Sequence, residues 1–325
     1  MDINLILSTL NKLAFLFVFI LIGFVLTRLK AIPESADGVL SKLENNLFTP
    51  CLILSTFISG FTFDVFKTSW KPILVCVLML AVTVPLGILL GRLFSKKENE
   101  RNAYIYGLCF SNFGFMGLAV VKTLFEETFA LYSIFLLPLW IGVYGWGVPA
   151  LLIPKSYADR SFKGTLKRMA NPMLISLVVG AVIGISGLGG YISTTADGNR
   201  TVIMDIIETA GSCMSPLAML LTGITIAKIK ISRVVKNVGI YVASILRLVV
   251  IPIVIISVMM LLPIEKDTLR CALCSLAMPL GLSPVVVPAG YGEDTSLGAG
   301  MAIISHALSV ITIPVIFAIF SSLTA

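Results

Sequence analysis

Ten stretches of this chain are long and apolar enough to cross a bilayer. They lie near residues 13 to 29, 39 to 60, 70 to 94, 103 to 125, 129 to 153, 172 to 192, 202 to 227, 234 to 262, 269 to 291 and 296 to 323. A membrane helix needs about 20 mostly apolar residues. A barrel strand needs about 10 and alternates in polarity, and these runs do neither. The expected fold is therefore all-α and integral to a membrane. Composition agrees: 57% of residues are hydrophobic and 13% charged, where a soluble domain has roughly 25% charged. Lys12 is the only base before the first run, and no small-residue cleavage site follows before Arg28 and Lys30. The first run thus reads as a permanent helix and not a cleaved signal.

The same punctuation occurs twice. Pro50 recurs as Pro216, 166 residues on; Pro85 recurs as Pro252, and Glu126-Glu127-Thr128 as Glu293-Asp294-Thr295, each 167 residues on. Three markers at one offset predict two copies of a single unit, the sequence signature of secondary transporters. Ten helices divide into five plus five, and because five is odd the second copy starts from the opposite face. The repeats are expected to be inverted, with residues 1–154 as the first, 155–170 as a basic cytoplasmic linker and 171–325 as the second.

Lysine and arginine concentrate in cytoplasmic loops. With the N-terminus outside, 16 of the 24 fall in inside loops and 7 in outside segments, while Arg247 lies within helix eight. This asymmetry predicts a multi-pass protein of the cell membrane with both termini extracellular. Topology and anionic lipid headgroups then account for the net charge of +7, so no nucleic acid partner is needed.

Two of the ten stretches are poor helices at matching places. The fourth carries Ser111-Asn112-Phe113-Gly114-Phe115-Met116-Gly117 at its centre. Glycine costs about 1 kcal/mol against alanine inside a helix, and asparagine competes for backbone hydrogen bonds. Adding the repeat offset to Asn112 leads to Pro279, in a ninth stretch that also holds Gly281, Pro284 and Pro288. Each proline removes a donor and clashes with the turn before it. Broken backbone at bilayer depth persists only against protein or a water-filled cavity, which is where a substrate site is expected. Each break frees N–H groups at the start of a second half-helix and favours an anion. Asn112 adds an amide there, and Ser111 and Ser283 add hydroxyls. Ser111, Asn112, Gly114, Pro279, Gly281, Ser283 and Pro284 are therefore the candidate binding residues for a small organic anion. Glycine and proline are also common in membrane helices for packing alone; the pairing of the two clusters is what favours a site.

The blocks NLFTPCLILSTF, SNFGFMGLAVVKTLF, NPMLISLVVGAVIG, SPLAMLLTGITIA and MPLGLSPVVVPAGYGEDTSLGAGMAIISHALSVITIPVI resemble the recurrent blocks of the auxin efflux carrier family, the bacterial relatives of the plant PIN carriers. The resemblance runs from about residue 13 to residue 320. It implies ten helices in two inverted repeats, similar to bile-acid sodium symporters. It further implies a scaffold of helices one, two, six and seven that forms a homodimer, and a transport unit of helices three to five and eight to ten. Helices four and nine would break and cross there, with elevator-type transport of carboxylates such as malonate, malate or an auxin. Asn112 matches the family's carboxylate-binding asparagine, and Pro279 or Pro284 its crossover proline. The chain departs from the pattern in having no proline after Gly117 and no acidic residue in helix three, so no proton-linked role transfers to helix three.

Coupling to H+ or Na+ stays open, and no cofactor is expected. His306, the single histidine, suits either proton coupling or the gluing of packed helices. Glu44, like Glu208, precedes a repeat proline; each either carries a proton or cation or lies near a helix end within reach of headgroup water. Arg247 either pairs with backbone carbonyls or contacts the substrate. Cys271 and Cys274 form C-x-x-C with no second pair or histidine nearby, too little for a metal site. An intramembrane hydrolase is disfavoured, because one histidine cannot build H-E-x-x-H, Asp205 has no aspartate partner in the spans, and no G-x-S-x-G turn is present. A channel or ligand sensor on the same fold is the alternative to a carrier.

Overall fold

The computed structural model describes residues 3–33, 35–154, 163–164, 172–194, 199–228, 237–289, 291 and 293–324. Most of the expected linker, 155–170, lies outside the described residues. Regular structure within them is helical apart from two isolated bridges, Ser111 with Leu280 and Thr194 with Arg200.

The first half contains α1 (Ile3–Arg28), α2 (Ala36–Leu43), α3 (Thr49–Gly60), α4 (Phe63–Thr68), α5 (Trp70–Phe94), α6 (Glu98–Cys109), α7 (Leu118–Leu124), α8 (Phe129–Phe135) and α9 (Leu137–Gly142). The second half contains α10 (Pro172–Ile185), α11 (Gly189–Ser193), α12 (Val202–Ser212), α13 (Met214–Ala227), α14 (Val238–Ile245), α15 (Ile251–Met259), α16 (Lys266–Leu276), α17 (Ser283–Ala289) and α18 (Ser296–Thr324). Wide π turns intervene at Glu44–Phe48, Phe113–Gly117, Val143–Leu152 and Leu246–Val250.

Among the described residues, four helical segments are long and apolar enough to cross a membrane: Phe63–Phe94, Val202–Ala227, Val238–Met259 and Ser296–Leu323. A fifth results if Glu126–Phe135 and Leu137–Leu152, bent by 41°, count as one. This is fewer than the ten stretches of the sequence because several are interrupted by their own residues. The sixth stretch, for example, stops when Gly187 takes a φ of 77° and donates its N–H to the Gly184 carbonyl at 3.2 Å. Only glycine enters that left-handed region without strain.

The repeated punctuation marks comparable local events. Pro50 and Pro216 each lie in the first turn of a helix that resumes after a deviation, α3 and α13. Proline is tolerated there because its missing N–H has no helical acceptor to lose. Glu126-Glu127-Thr128 leads into α8, and Glu293-Asp294-Thr295 into α18. Pro85 and Pro252 differ: the first sits inside α5, the second in the first turn of α15 after a π turn.

Helices α1 and α13 touch backbone to backbone. A Cβ added at Gly223 would lie 1.9 Å from the Ile20 carbonyl oxygen, and one at Gly23 would lie 2.2 Å from that of Leu220. Such small residues are how membrane helices approach closely. Gly223→Ala is expected to cost about 1–3 kcal/mol through overpacking, read as earlier thermal unfolding in detergent. Gly38→Ala, where a Cβ meets nothing within 4 Å, should leave the unfolding temperature unchanged or raise it.

Candidate functional site

Both suspect stretches are broken. Helix α6 ends at Cys109, Phe110 is extended at φ −124° and ψ 125°, and a π turn begins at Phe113. Helix α16 ends at Leu276, and α17 starts at Ser283. The two gaps satisfy each other. The Asn112 N–H donates to the Pro279 carbonyl at 2.7 Å, and Ser111 and Leu280 form an antiparallel bridge. The Leu280 N–H donates to Ser305 Oγ at 3.1 Å. Backbone groups that neither helix can use are thus paired across the crossing, as burial requires. The break in the fourth stretch begins before the Gly-rich run, because Phe113–Gly117 winds as a π turn closed by Gly117 N–H to Asn112 O at 2.9 Å.

Arg247 lies behind the crossing. It is 1% exposed and donates Nη1 to the Leu108 carbonyl and Nη2 to the Ser275 carbonyl, each at 3.3 Å. Ser111 Oγ also donates to the Ser275 carbonyl, at 2.5 Å. Leu108 and Ser275 belong to the last turns of α6 and α16, where helix carbonyls lack partners and the dipole is negative. One buried cation therefore caps both C-terminal ends. Of the two roles open to Arg247, the structure shows the carbonyl pairing, and Arg247 is absent from the cavity lining described next.

On the other side of the crossing is a cavity of about 480 Å³. Ser111, Asn112, Gly114, Gly281 and Ser283 line it, as the sequence suggested. Pro279 contributes its carbonyl to the crossing and does not line this cavity; Pro284 faces a second, of about 740 Å³, beyond α17. The first cavity extends to Asp37, Ser41, Lys42 and Asn45 at the start of the second stretch, where Asp37 pairs with Lys228 at 2.7 Å.

Asn112 is 3% exposed, and its Nδ2 lies 3.4 Å from His306 Nε2. His306 Nδ1 lies 2.7 Å from the Ala302 carbonyl. A carbonyl only accepts, so Nδ1 carries a hydrogen, and the neutral ring presents Nε2 as an acceptor to the amide.

A family model described as membrane transport protein matches residues 8–163 and 156–317. The chain belongs to the auxin efflux carrier, or PIN-like, membrane transport family. A search of curated proteins gave no match. The chain is thus a multi-pass membrane protein of a transporter family, and the crossing and its cavity are features of this family member.

Glu44 corrects one of its two sequence readings. The reading that places it within reach of headgroup water fails, because it is 0% exposed in the π turn before α3. Thr49 Oγ1 donates to its Oε1 at 3.0 Å, and its Oε2 is buried without a hydrogen-bond partner. Packing of α10, α12 and α13 over the kink hides it. Glu208 instead pairs with Arg200 at a partly exposed position. Sequence reasoning missed the cavity's aromatic wall. Phe113 meets Trp140 edge-on at 4.7 Å between centroids, and Trp140 stacks on Tyr144 at 5.7 Å and 11°. Tyr106, Phe115, Thr49 and Thr225 also line it. The available signal was Trp140 and Tyr144 at helical i, i+4 spacing, which places both rings on one face. Gly114 makes the wall possible, since a Cβ there would lie 2.4 Å from Trp140 Cη2.

Proposed function

We propose that this family member is a secondary carrier of a small organic anion, a carboxylate such as malonate, malate or an auxin-like acid, bound where the two broken helices cross. The observation that carries the reading is the crossing itself, two mutually hydrogen-bonded breaks opening on one cavity. The helical segment Phe113–Leu124 begins at this cavity, so its first N–H groups lack helical acceptors and favour a carboxylate. Arg247 offsets the opposite, negative helix ends away from the ligand. The Asn112 amide and the Ser283 hydroxyl supply donors that orient the anion, and the aromatic wall excludes water from the apolar part of the substrate.

An elevator-type motion is supported by how the chain sorts its close contacts. Gly23 with Leu220, Gly223 with Ile20 and Gly211 with Leu52 join residues of α1–α3 and α10–α13. Gly107 with Leu280, Gly114 with Trp140 and Gly298 with Pro284 join residues of α5–α9 and α14–α18. The ion pairs Lys71 with Glu265 and Arg270 with Glu127 stay in the second group. Between the groups, Ile53, Phe57 and Phe61 of the first cluster with Ile134 of the second. Apolar faces of this kind can slide without exchanging hydrogen bonds. The first group corresponds to the scaffold and the second to the transport unit, in a ten-crossing, two-repeat arrangement. Outward apolar residues such as Leu21, Val178 and Ile206 would meet lipid or a second copy of the scaffold.

Proteoliposomes containing the purified protein should take up radiolabelled malonate, malate or indoleacetate with saturation and mutual competition. Flux that never saturates would indicate a pore, and binding without flux a sensor. The cell-membrane orientation has its own check. In a background without native cysteines, Lys97→Cys should react with a membrane-impermeant maleimide only from the cytoplasm and Lys67→Cys only from outside. The reverse pattern would overturn the orientation.

A further inference from the structure

Asn112, which lines the proposed site, makes a buried polar contact with His306, which lies behind it and does not line the cavity. Building on the reading of that site as a carboxylate site, we infer that His306 takes up one proton with each bound anion by reversing the amide of Asn112.

The geometry fixes the sequence of hydrogen bonds. Nδ1 of His306 donates to the Ala302 carbonyl at 2.7 Å, so in the neutral ring Nε2 accepts from Asn112 Nδ2 at 3.4 Å. The amide's Oδ1 is then turned away from the imidazole, on a residue that lines the cavity. A carbonyl oxygen on that edge repels a carboxylate. A proton taken from solution, hydronium giving up H+ and leaving as water, adds to Nε2 and makes both ring nitrogens donors. Two donors cannot pair, so the amide turns over, Oδ1 accepts from Nε2–H, and Nδ2 offers its hydrogens to the anion. No covalent bond in the protein breaks, and one H+ arrives with one negative charge.

The surroundings make proton and anion depend on each other. His306 is 3% exposed. Of the elements packed against α18, the turn Leu246–Val250 brings the buried cation Arg247, α6 brings Tyr106 and Cys109, α14 brings Tyr241 and α1 carries Arg28 in its last turn, while α13 and α17 carry no titratable side chain. The acidic residues of α6, Glu98 and Glu100, belong to its first turn, and Lys122 of α7 pairs with Glu126 at 2.7 Å near the far end of that helix. On α18 itself Ser305 and Ser309 flank the histidine. Arg247 is engaged by the two helix ends, so an imidazolium by itself is an uncompensated buried charge, which low dielectric penalises. The anion supplies the compensation. By linkage, whatever protonation adds to anion affinity, the anion adds to proton affinity.

The chain has one histidine, so the ring can be watched directly. Protein labelled with 15N-histidine and purified without a histidine tag is examined by NMR near neutral pH, before and after saturation with malonate, malate or indoleacetate. The expected result is one protonated and one bare ring nitrogen without ligand, and two protonated nitrogens with it. Anion affinity should rise about tenfold per unit fall in pH where one proton limits binding. His306→Gln, whose amide still pairs with Asn112, should bind with no such slope. A ring that stays neutral with anion bound overturns the linkage alone, as does a full slope in His306→Gln or a slope lost only in Glu44→Gln. A folded protein that binds none of the carboxylates at any pH overturns the carboxylate site as well.

Discussion

Asn112→Ala is expected to weaken carboxylate binding on the order of 10- to 100-fold in a protein that still folds. In the proposed site the amide gives the carboxylate a charge-assisted hydrogen bond beside the start of Phe113–Leu124, worth roughly 1.5–3 kcal/mol. At about 1.4 kcal/mol per decade, that gives the stated loss. Asn112 N–H to Pro279 O is a backbone bond, so alanine keeps the crossing, and the substitution tests the side chain. Asn112→Asp should bind worse still, because it places a negative charge against the ligand's own. Thermal-shift titration with the three carboxylates, on monodisperse protein, reads both variants. Parent-like affinity in folded Asn112→Ala would move the site away from the crossing and leave the break as architecture.

Arg247→Leu should act on stability before it acts on binding. Two charge-assisted hydrogen bonds are lost, to Leu108 O and Ser275 O, at roughly 1.5–3 kcal/mol each. Freedom from burying a guanidinium offsets part of this, leaving a net loss of about 3 kcal/mol. Arg247→Lys should fall between, since a single ammonium cannot reach both carbonyls with the fork that guanidinium provides. The measurement is the thermal unfolding midpoint in detergent at fixed lipid content, followed by anion affinity in the folded fraction. An Arg247→Leu protein as stable as its parent would show that the two helix ends need no cation.

The parts legible in the sequence were those carried by backbone chemistry. Asn112, Gly281 and the prolines at 279 and 284 announce a break because their own side chains, or lack of them, disfavour a helix wherever they stand. The repeat offset then paired the two breaks. Partnerships at the crossing were not legible. Arg247 acts on carbonyls 139 and 28 residues away, and a carbonyl is the same in every residue, so no pattern marks it. His306 lies 194 residues from Asn112, and nothing in its neighbours selects that contact over another. Glu44 misled because distance from a helix end predicts depth only for a lone helix; here three neighbouring helices decide what water reaches. Nothing in the sequence separates Trp140 and Tyr144 from ordinary packing residues; the ring of Trp140 reaches the break because Gly114 has no side chain there.

The bond between Asn112 and Pro279 also has a history in time. The two residues are 167 positions apart in the chain, and ribosomes add about 5–20 residues per second. Roughly 8–33 s therefore separate the synthesis of the donor from that of its acceptor. Throughout that interval the first half carries an open gap in a helix with nothing from its own chain to close it. Water, lipid headgroups or the insertion machinery must hold those groups meanwhile. The nascent first half is thus the stage at which this chain is most dependent on outside help.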